Sequence, residues 1–544
     1  GQNIMISGAE IMVKCLEAEG VDIVFGYPGA AICPFYDKIY DSSITHILVR
    51  QEQNDAHAAS GYARCSNRPG VCVATSGPGA TNLITGIATA YTDSIPIVAI
   101  TGQVRSDLLG RDVFQEADIT GACEPFVKHS YLVSKTEDLP RVFKEAFHIA
   151  STGRPGPVLI DIPVDIQENE IESFEYPESV NIIGYKPNTK GHAIQVKKAV
   201  EAINASKRPV IVSGGGVLSS GIKLKLQKFA ETTGIPVIST MMGIGVMPSE
   251  HELYLGMLGT HGKAVANRAL HEADLVIVCG ARLGDRAVAA PDQMSENTKV
   301  IHIDIDPAEI GKNVKTEIPI VGDMKNVINM LLDSIGDYKV TTMWSETVKN
   351  WKKDLYREPP VFDGFVEPRT LVGHLSAMFR SKAILVADVG QNQIWCANNF
   401  RIREGRFLTT GGMGTMGYSI PAAIGAKFAR PDRDVIVICG DGSFQMGLNE
   451  LATIAGNQLG IKIIIMKNAR LGMVRELQDK HYGGRHSATI LNGDPDFLKI
   501  ADAYGIDHAE AHSNKEAENI IKGIVDSEKP FILVCDVHPD TPSI

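Results

Sequence analysis

Short apolar runs recur along the chain, each passing directly into a turn rich in glycine, proline or aspartate, with helical spacing between them. In the first third, residues 21–25 enter Gly26-Tyr-Pro-Gly29, residues 70–75 enter Ser76-Gly-Pro-Gly79, and residues 95–101 enter Gly102-Gln103. Continuous apolar runs read as strands buried on both faces, and their alternation with helices predicts a doubly wound parallel sheet. The pattern repeats where residues 209–213 precede Gly214-Gly-Gly216, residues 275–279 precede Gly280, and residues 300–305 precede Asp306-Pro307. It returns a third time in residues 383–388, 434–439, 461–466 and 530–536. The acidic, proline-containing stretch 168–189 reads as a linker, and the charged, strand-poor stretch 336–360 as a linker helix. The expected fold class is therefore α/β, with three doubly wound domains over residues 1–180, 190–337 and 361–544.

A length of 544 residues agrees with that division, because a single core rarely grows beyond about 250–300 residues. The net charge of −11, without a long basic stretch, argues against nucleic acid as the main ligand. It also requires that any anionic substrate meet local arginine or lysine. The nine cysteines form no C-x-x-C pair and no Cys/His cluster at metal-ligand spacing. Cys72, Cys279, Cys439 and Cys535 lie inside apolar runs, where cysteine behaves as a small buried hydrophobe. A reducing, cytoplasmic setting is expected. The sequence shows neither an apolar signal core nor a run of 18 apolar residues, so no membrane span or transit peptide is expected.

The chemistry is concentrated in Gly440-Asp-Gly-Ser-Phe444 and in Asn468, which follows the next apolar run. An aspartate at one strand end and an amide at the next can hold one small hard cation. Mg²⁺ prefers oxygen ligands and usually binds through one or two protein groups together with phosphates. Asp441 and the Asn468 side chain suit that task, and the neighbouring glycines let the backbone approach a diphosphate. A plain turn after a core strand is the alternative. The spacing resembles the diphosphate–Mg²⁺ motif of thiamine-diphosphate enzymes, which implies a glutamate from a separate domain. Glu52, in Val49-Arg-Gln-Glu-Gln53, is the candidate. A carboxylate on the aminopyrimidine ring favours the imino tautomer that can remove the thiazolium proton. In isolation, Glu52 would be an ordinary first-turn helix acid.

Longer strings sharpen the resemblance and cover essentially the whole chain. Ala74-Thr-Ser-Gly-Pro-Gly-Ala-Thr-Asn82, Thr152-Gly-Arg-Pro-Gly-Pro157, Leu258-Gly-Thr-His-Gly262, Gly411-Gly-Met-Gly-Thr-Met-Gly417 and Gly472-Met-Val-Arg475 resemble the acetohydroxyacid synthase (acetolactate synthase) catalytic subunits. The resemblance implies decarboxylation of pyruvate on thiamine diphosphate and transfer of the two-carbon unit to a second 2-oxo acid. It implies that the Arg470 backbone carbonyl completes the metal set of Asp441 and Asn468, and that Gln391, Asn392, Gly442 and Ser443 contact the diphosphate. Gly414 would present its carbonyl to the aminopyrimidine, and Met416 would wedge the cofactor into a bent conformation. Phe114 and Gln115 would line the reaction centre, Lys128 the substrate channel, and Arg286 would receive the second substrate's carboxylate. An FAD is implied in the central domain, with ligands at Arg154, Gly215, Thr240, Leu258, Gly259, His261, Gly280, Arg282, Asp304 and Asp323.

Several positions depart from the pattern the resemblance sets. Asn392 stands where histidine is usual, Gly284 where an acidic residue is usual, Leu477 for a tryptophan that favours 2-oxobutyrate, Thr260 for methionine and Arg105 for proline. The last three keep open a divergent carboligase or 2-oxo-acid decarboxylase. A catalytically silent paralogue would have lost Glu52, Asp441 or Asn468, and all three are present. A homodimer or tetramer is implied, because sites of this kind form where domains of two subunits meet. A small regulatory subunit is a further implied partner.

Overall fold

The computed structural model describes residues 4–182, 192–282, 294–310 and 317–544. Three six-stranded sheets account for most of them, every adjacent pair of strands being parallel. The N-terminal sheet comprises β1 (Ile23–Gly26), β2 (Thr45–Leu48), β3 (Gly70–Ala74), β4 (Ile97–Gln103), β5 (His129–Leu132) and β6 (Val158–Pro163), ordered β2-β1-β3-β4-β6-β5. The central sheet comprises β7 (Pro209–Ser213), β8 (Val237–Ser239), β9 (Tyr254–Met257), β10 (Leu275–Cys279), β11 (Lys299–Asp304) and β12 (Ile318–Val321), ordered β9-β8-β7-β10-β11-β12. The C-terminal sheet comprises β13 (Ile384–Ala387), β14 (Arg406–Leu408), β15 (Val435–Gly440), β16 (Ile461–Lys467), β17 (Asp507–Ala511) and β18 (Phe531–Asp536), ordered β14-β13-β15-β16-β18-β17.

The outer two sheets thus share one topology, while the central sheet has the dinucleotide-fold order. The middle strands β3, β4, β10, β15 and β16 are buried nearly end to end, as the unbroken apolar runs require when helices cover both faces.

The chain divides into two compact units: one holds residues 1–186, 413–432 and 446–459, the other the remainder. In the first, helix Glu52–Ser66 packs on β3 and is crossed by helix Ser419–Ala429. Small residues make the crossing close. A Cβ at Gly61 would lie 2.0 Å from the Ala422 carbonyl oxygen, and one at Gly425 would lie 1.9 Å from that of Ala58. In the second unit, Ile244 and Met257 from the central domain join the core of the C-terminal sheet.

The two stretches read as linkers are tied down instead. Glu170–Ile171 pair antiparallel with Ile6–Ser7, and Phe174, Tyr176 and Ile182 pack on the N-terminal core. Residues 183–189 of that stretch lie outside the described residues. The helix expected near residue 350 spans Thr342–Asp354 and buries Trp344, whose indole N–H donates to the Pro209 carbonyl at 3.0 Å. Apolar residues spaced along otherwise charged segments were enough to dock both, because a few buried aromatics outweigh the average polarity of a stretch.

Candidate active site

The C-terminal ends of β13, β15 and β16 lie together where the strand order reverses, the position at which open α/β sheets bind ligands. β15 delivers Asp441 and β16 delivers Asn468, 1% and 7% exposed. Both carboxylate oxygens of Asp441 accept backbone N–H groups, from Asn468 at 3.1 Å and from Ala469 at 2.8 Å. Ala469 has φ of 54°, a left-handed conformation that costs a side-chain-bearing residue energy and lets two successive N–H groups point at one carboxylate. Burial pushes the Asp441 carboxyl up to about 6, and the backbone hydrogen bonds oppose that shift.

Arg470 pairs with Ile490 in an isolated antiparallel bridge. The flanking bonds run from Leu471 N–H to the Thr489 carbonyl and from Leu491 N–H to the Ala469 carbonyl, so the Arg470 carbonyl turns away from that partner strand. Among the described residues, no three His, Cys, Asp or Glu side chains converge on a metal position. One carboxylate, one amide oxygen and one backbone carbonyl nevertheless form an oxygen set that fits Mg²⁺ when phosphate and water complete the octahedron. Ser443 Oγ accepts the Gly440 N–H at 2.9 Å, which closes the turn through Gly442, and the Asn392 amide lies against Gly440. The Gln391 amide is engaged within the protein, its nitrogen donating to Glu476 at 2.6 Å and to the Thr541 carbonyl at 2.9 Å.

In the N-terminal unit, β2 leads into helix Glu52–Ser66, and the buried Glu450 fixes its start. Glu450 accepts from the Arg50 N–H at 2.9 Å and from Asn54 Nδ2 at 2.7 Å. Glu52, half-buried at the first helical position, accepts from Asn82 Nδ2 at 3.1 Å. Its other oxygen lies 3.4 Å from the position of a Cβ at Gly79. Gln115 reaches the same Gly77-Pro-Gly79 turn: a Cβ at Gly77 would lie 2.8 Å from the Gln115 Cα, and Gln115 itself has φ of 60°. Asp55 is fully buried with both carboxyl oxygens lacking a hydrogen-bond partner. Burial, reinforced by the charges of Glu450 and Glu52, holds it well above the usual carboxylate range. Neither Glu450 nor Asp55 was singled out by sequence reasoning, because their partners lie far along the chain or are absent.

Other expected residues are placed as follows. Phe114 is 88% exposed on the loop before Gln115. The Lys128 ammonium donates to the Ile149 and Thr152 carbonyls, where a helix end leaves acceptors unpaired. Gly414 is exposed, Met416 is half-buried, and Thr415 between them bonds Thr89 Oγ1 at 2.7 Å. Arg154 Nε donates to Ser94 Oγ at 2.7 Å. Arg286, with Gly284, lies outside the described residues.

In the central domain, Gly214-Gly215-Gly216 follows β7 and Gly280 follows β10, again at the reversal of strand order. The Gly214 N–H donates to Cys279 and the Gly216 N–H to Gly280, both at 2.9 Å. Ser213 Oγ beside them is buried without a partner, and Thr240 is buried after β8. Leu258 is buried, Gly259 is held by Asn267 through two 2.8 Å bonds, and the His261 carbonyl accepts from Asn398 at 2.7 Å. Asp304 accepts the Asp306 N–H at 3.0 Å, and Arg282 lies 3.9 Å from Glu309. Asp323 caps helix Met324–Ser334 by accepting two backbone N–H groups. The glycine turn and the orphaned Ser213 hydroxyl suit a dinucleotide, whereas Asp323 already has a structural task.

Three thiamine pyrophosphate enzyme families match the chain in order: the N-terminal TPP binding domain at residues 6–122, the central domain at 196–331 and the C-terminal TPP binding domain at 388–535. The chain is 47% identical, over 98% of its length and 92% of the relative's, to the probable acetolactate synthase large subunit of Methanocaldococcus jannaschii. The chain belongs to the acetolactate synthase large-subunit family. Two further relatives named acetolactate synthase large subunit agree. That of Haemophilus influenzae is 45% identical over 92% of this chain and 89% of its own, and that of Lactococcus lactis is 43% identical over 97% and 92%. Membership in the acetolactate synthase family gives the Asp441 turn its context, since it lies within the matched C-terminal TPP binding domain.

Proposed function

We propose that this chain is an acetolactate synthase catalytic subunit that decarboxylates pyruvate and joins the two-carbon unit to a second 2-oxo acid, chiefly pyruvate, in branched-chain amino acid biosynthesis. The observation that carries the reading is the Asp441 carboxylate, buried at a strand-order reversal and faced by Asn468 and Ala469. Thiamine diphosphate, when bound, supplies carbanion stabilisation. Asp441, the Asn468 amide oxygen and the Arg470 carbonyl would hold Mg²⁺, while Gln391 at the start of its helix, Asn392, Gly442 and Ser443 would contact the diphosphate. With the cofactor bound, Glu52 would hold a proton at the aminopyrimidine ring, Gly414 would accept from its amino group, and Met416 would pack against it. Phe114 and Gln115 would line the reaction centre, Lys128 the substrate channel, and Arg286 would receive the second substrate's carboxylate, a task suited to a guanidinium.

The domain limits are proposed as 1–180, 190–337 and 361–544. The active form is a homodimer or tetramer, with a small regulatory subunit as possible partner. The cytoplasmic assignment rests on nine free cysteines, eight of them buried. No helix among the described residues is long and apolar enough to cross a membrane. Acetolactate formation from pyruvate alone, dependent on thiamine diphosphate and Mg²⁺, tests the activity. Failure to turn over pyruvate under those conditions would overturn it.

The central domain is proposed to bind FAD at Gly215 and Gly280 with Thr240, Leu258, Gly259, His261, Arg282, Asp304 and Asp323, joined by Arg154. Gly284 in place of an acidic residue weakens that hold. Purified protein incubated with FAD and desalted is therefore expected to retain a flavin spectrum at lower occupancy than its relatives. No retained flavin with full activity would mark the chain as flavin-independent.

Leu477, 53% exposed, Thr260 and Arg105 bear on the acceptor, and they keep a divergent carboligase or 2-oxo-acid decarboxylase as the second reading. Leucine offers less apolar face than tryptophan to the extra methylene of 2-oxobutyrate, a contact worth about 1–3 kcal/mol. With pyruvate and 2-oxobutyrate at equal concentration, acetolactate is expected to be the main product. A strong excess of acetohydroxybutyrate would contradict that expectation, and recovery of 2-oxobutyrate preference in Leu477→Trp would support it.

A further inference from the structure

We infer that Glu476 is a positioning residue for the metal end of the site, acting through Gln391 to fix which end of the Asn468 amide faces the cation. The inference rests on the proposed Mg²⁺–diphosphate reading and adds a residue with no expected role. An asparagine amide has an oxygen and a nitrogen of nearly equal size, so shape does not choose between them. Its hydrogen bonds must. If the nitrogen faced the metal, two N–H donors would stand where an oxygen ligand is needed.

The choice is relayed through Gln391, 77 residues from Asn468 in sequence. Gln391 Nε2 donates to Glu476 Oε1 at 2.6 Å and to the Thr541 carbonyl at 2.9 Å. A carboxylate and a backbone carbonyl only accept, so only the amide nitrogen can face them. The Gln391 oxygen is thereby turned toward Asn468, and it accepts from Asn468 Nδ2 at 2.9 Å. Asn468 Oδ1 must then point the other way, where it accepts the Arg470 N–H at 3.2 Å and keeps a lone pair for a cation. The two ends of the chain agree: pure acceptors at Glu476 and Thr541, a pure donor at Arg470.

The rest of the structure holds Glu476 in place. It lies on helix Gly472–His481 and accepts from the Ser543 N–H at 3.1 Å and from the Ser543 hydroxyl. Thr541 and Ser543 are both buried, and Trp395, one turn beyond Gln391, donates to the Pro542 carbonyl at 2.9 Å. Gln391 packs so tightly on the start of the helix that a Cβ at Gly472 would lie 1.9 Å from its Oε1. With both amide N–H groups committed, Gln391 braces the site rather than donating its side-chain hydrogens to the diphosphate.

The test is the Mg²⁺ dependence of thiamine-diphosphate binding to the cofactor-free protein, followed by calorimetry. Losing an outer-shell partner of a metal ligand typically costs about 10–100-fold in metal affinity. Glu476→Ala is expected to raise the Mg²⁺ concentration for half-maximal binding by about that factor, with Glu476→Gln closer to wild type because it can still accept. Maximal turnover should change much less than the Mg²⁺ requirement, a split that general destabilisation would not produce. Wild-type Mg²⁺ dependence in folded Glu476→Ala overturns the inference. If that variant does not fold, Ser543→Ala decides: a shift of about threefold or more supports the brace, and no shift overturns it. Failure of the wild-type protein to bind thiamine diphosphate with Mg²⁺ would instead overturn the underlying functional reading.

Discussion

Glu52→Gln is expected to lower acetolactate formation by about 10²–10⁴-fold, the usual weight of a positioned acid or base, while thiamine diphosphate still binds. Glutamine keeps the length of the side chain and can still accept from Asn82 Nδ2, so the local hydrogen bond survives. The helix start survives too, because Glu450 rather than Glu52 holds the Arg50 N–H and Asn54. The property removed is the ability to share a proton with a ring nitrogen. Asp55 cannot substitute, since it is fully buried and one turn further along the helix. The competing interpretation, a first-turn acid that only favours the helix dipole, predicts a different result. It gives near-native turnover with about 0.3–1 kcal/mol lost in stability. Steady-state rates and thermal melts of the same variant separate the two.

The sheets were legible because parallel strands covered on both faces are continuous apolar runs, and those such as residues 461–466 permit no other placement. Asp441 and Asn468 were legible because each follows such a run directly, and consecutive parallel strands bring their C-terminal ends together. Glu450 and Glu476 carried no such signal. One acts on residues 50 and 54 and the other on residue 391, and nothing in the neighbouring sequence encodes a partner hundreds or tens of residues distant. Lys128 and Asp323 show the converse limit. Each matches a family position by string, yet each makes local bonds to helix-end backbone groups that the string does not express. In residues 168–182 average polarity hid anchoring side chains such as Tyr176, whereas the helix expected within 336–360 is present at Thr342–Asp354 and is docked through the buried Trp344.

Asp441→Ala is expected to abolish Mg²⁺-dependent binding of thiamine diphosphate, beyond the roughly 10–100-fold cost of losing an outer partner. No other acidic side chain completes a metal cluster among the described residues, so amide and carbonyl oxygens alone would have to hold a doubly charged ion beside a diphosphate. Asp441→Asn is the control for local structure, because one oxygen can still accept from the Asn468 or Ala469 N–H. It should restore folding better than binding. The same group sets a pH dependence. With its acidity pushed up to about 6 by burial, the carboxyl of the cofactor-free protein is mostly ionised at pH 7 and mostly protonated at pH 5. A protonated carboxyl is a poor ligand, so affinity should fall by about tenfold over that interval. The stability term has the opposite sign. Because the folded value lies above the unfolded one, this carboxyl favours folding most below about pH 4, and that contribution is lost as pH rises through about 6. Mg²⁺ should therefore raise the melting temperature more at pH 7 than at pH 5, in step with its binding. Undiminished thiamine-diphosphate affinity in Asp441→Ala with Mg²⁺ present would remove the metal from this strand end.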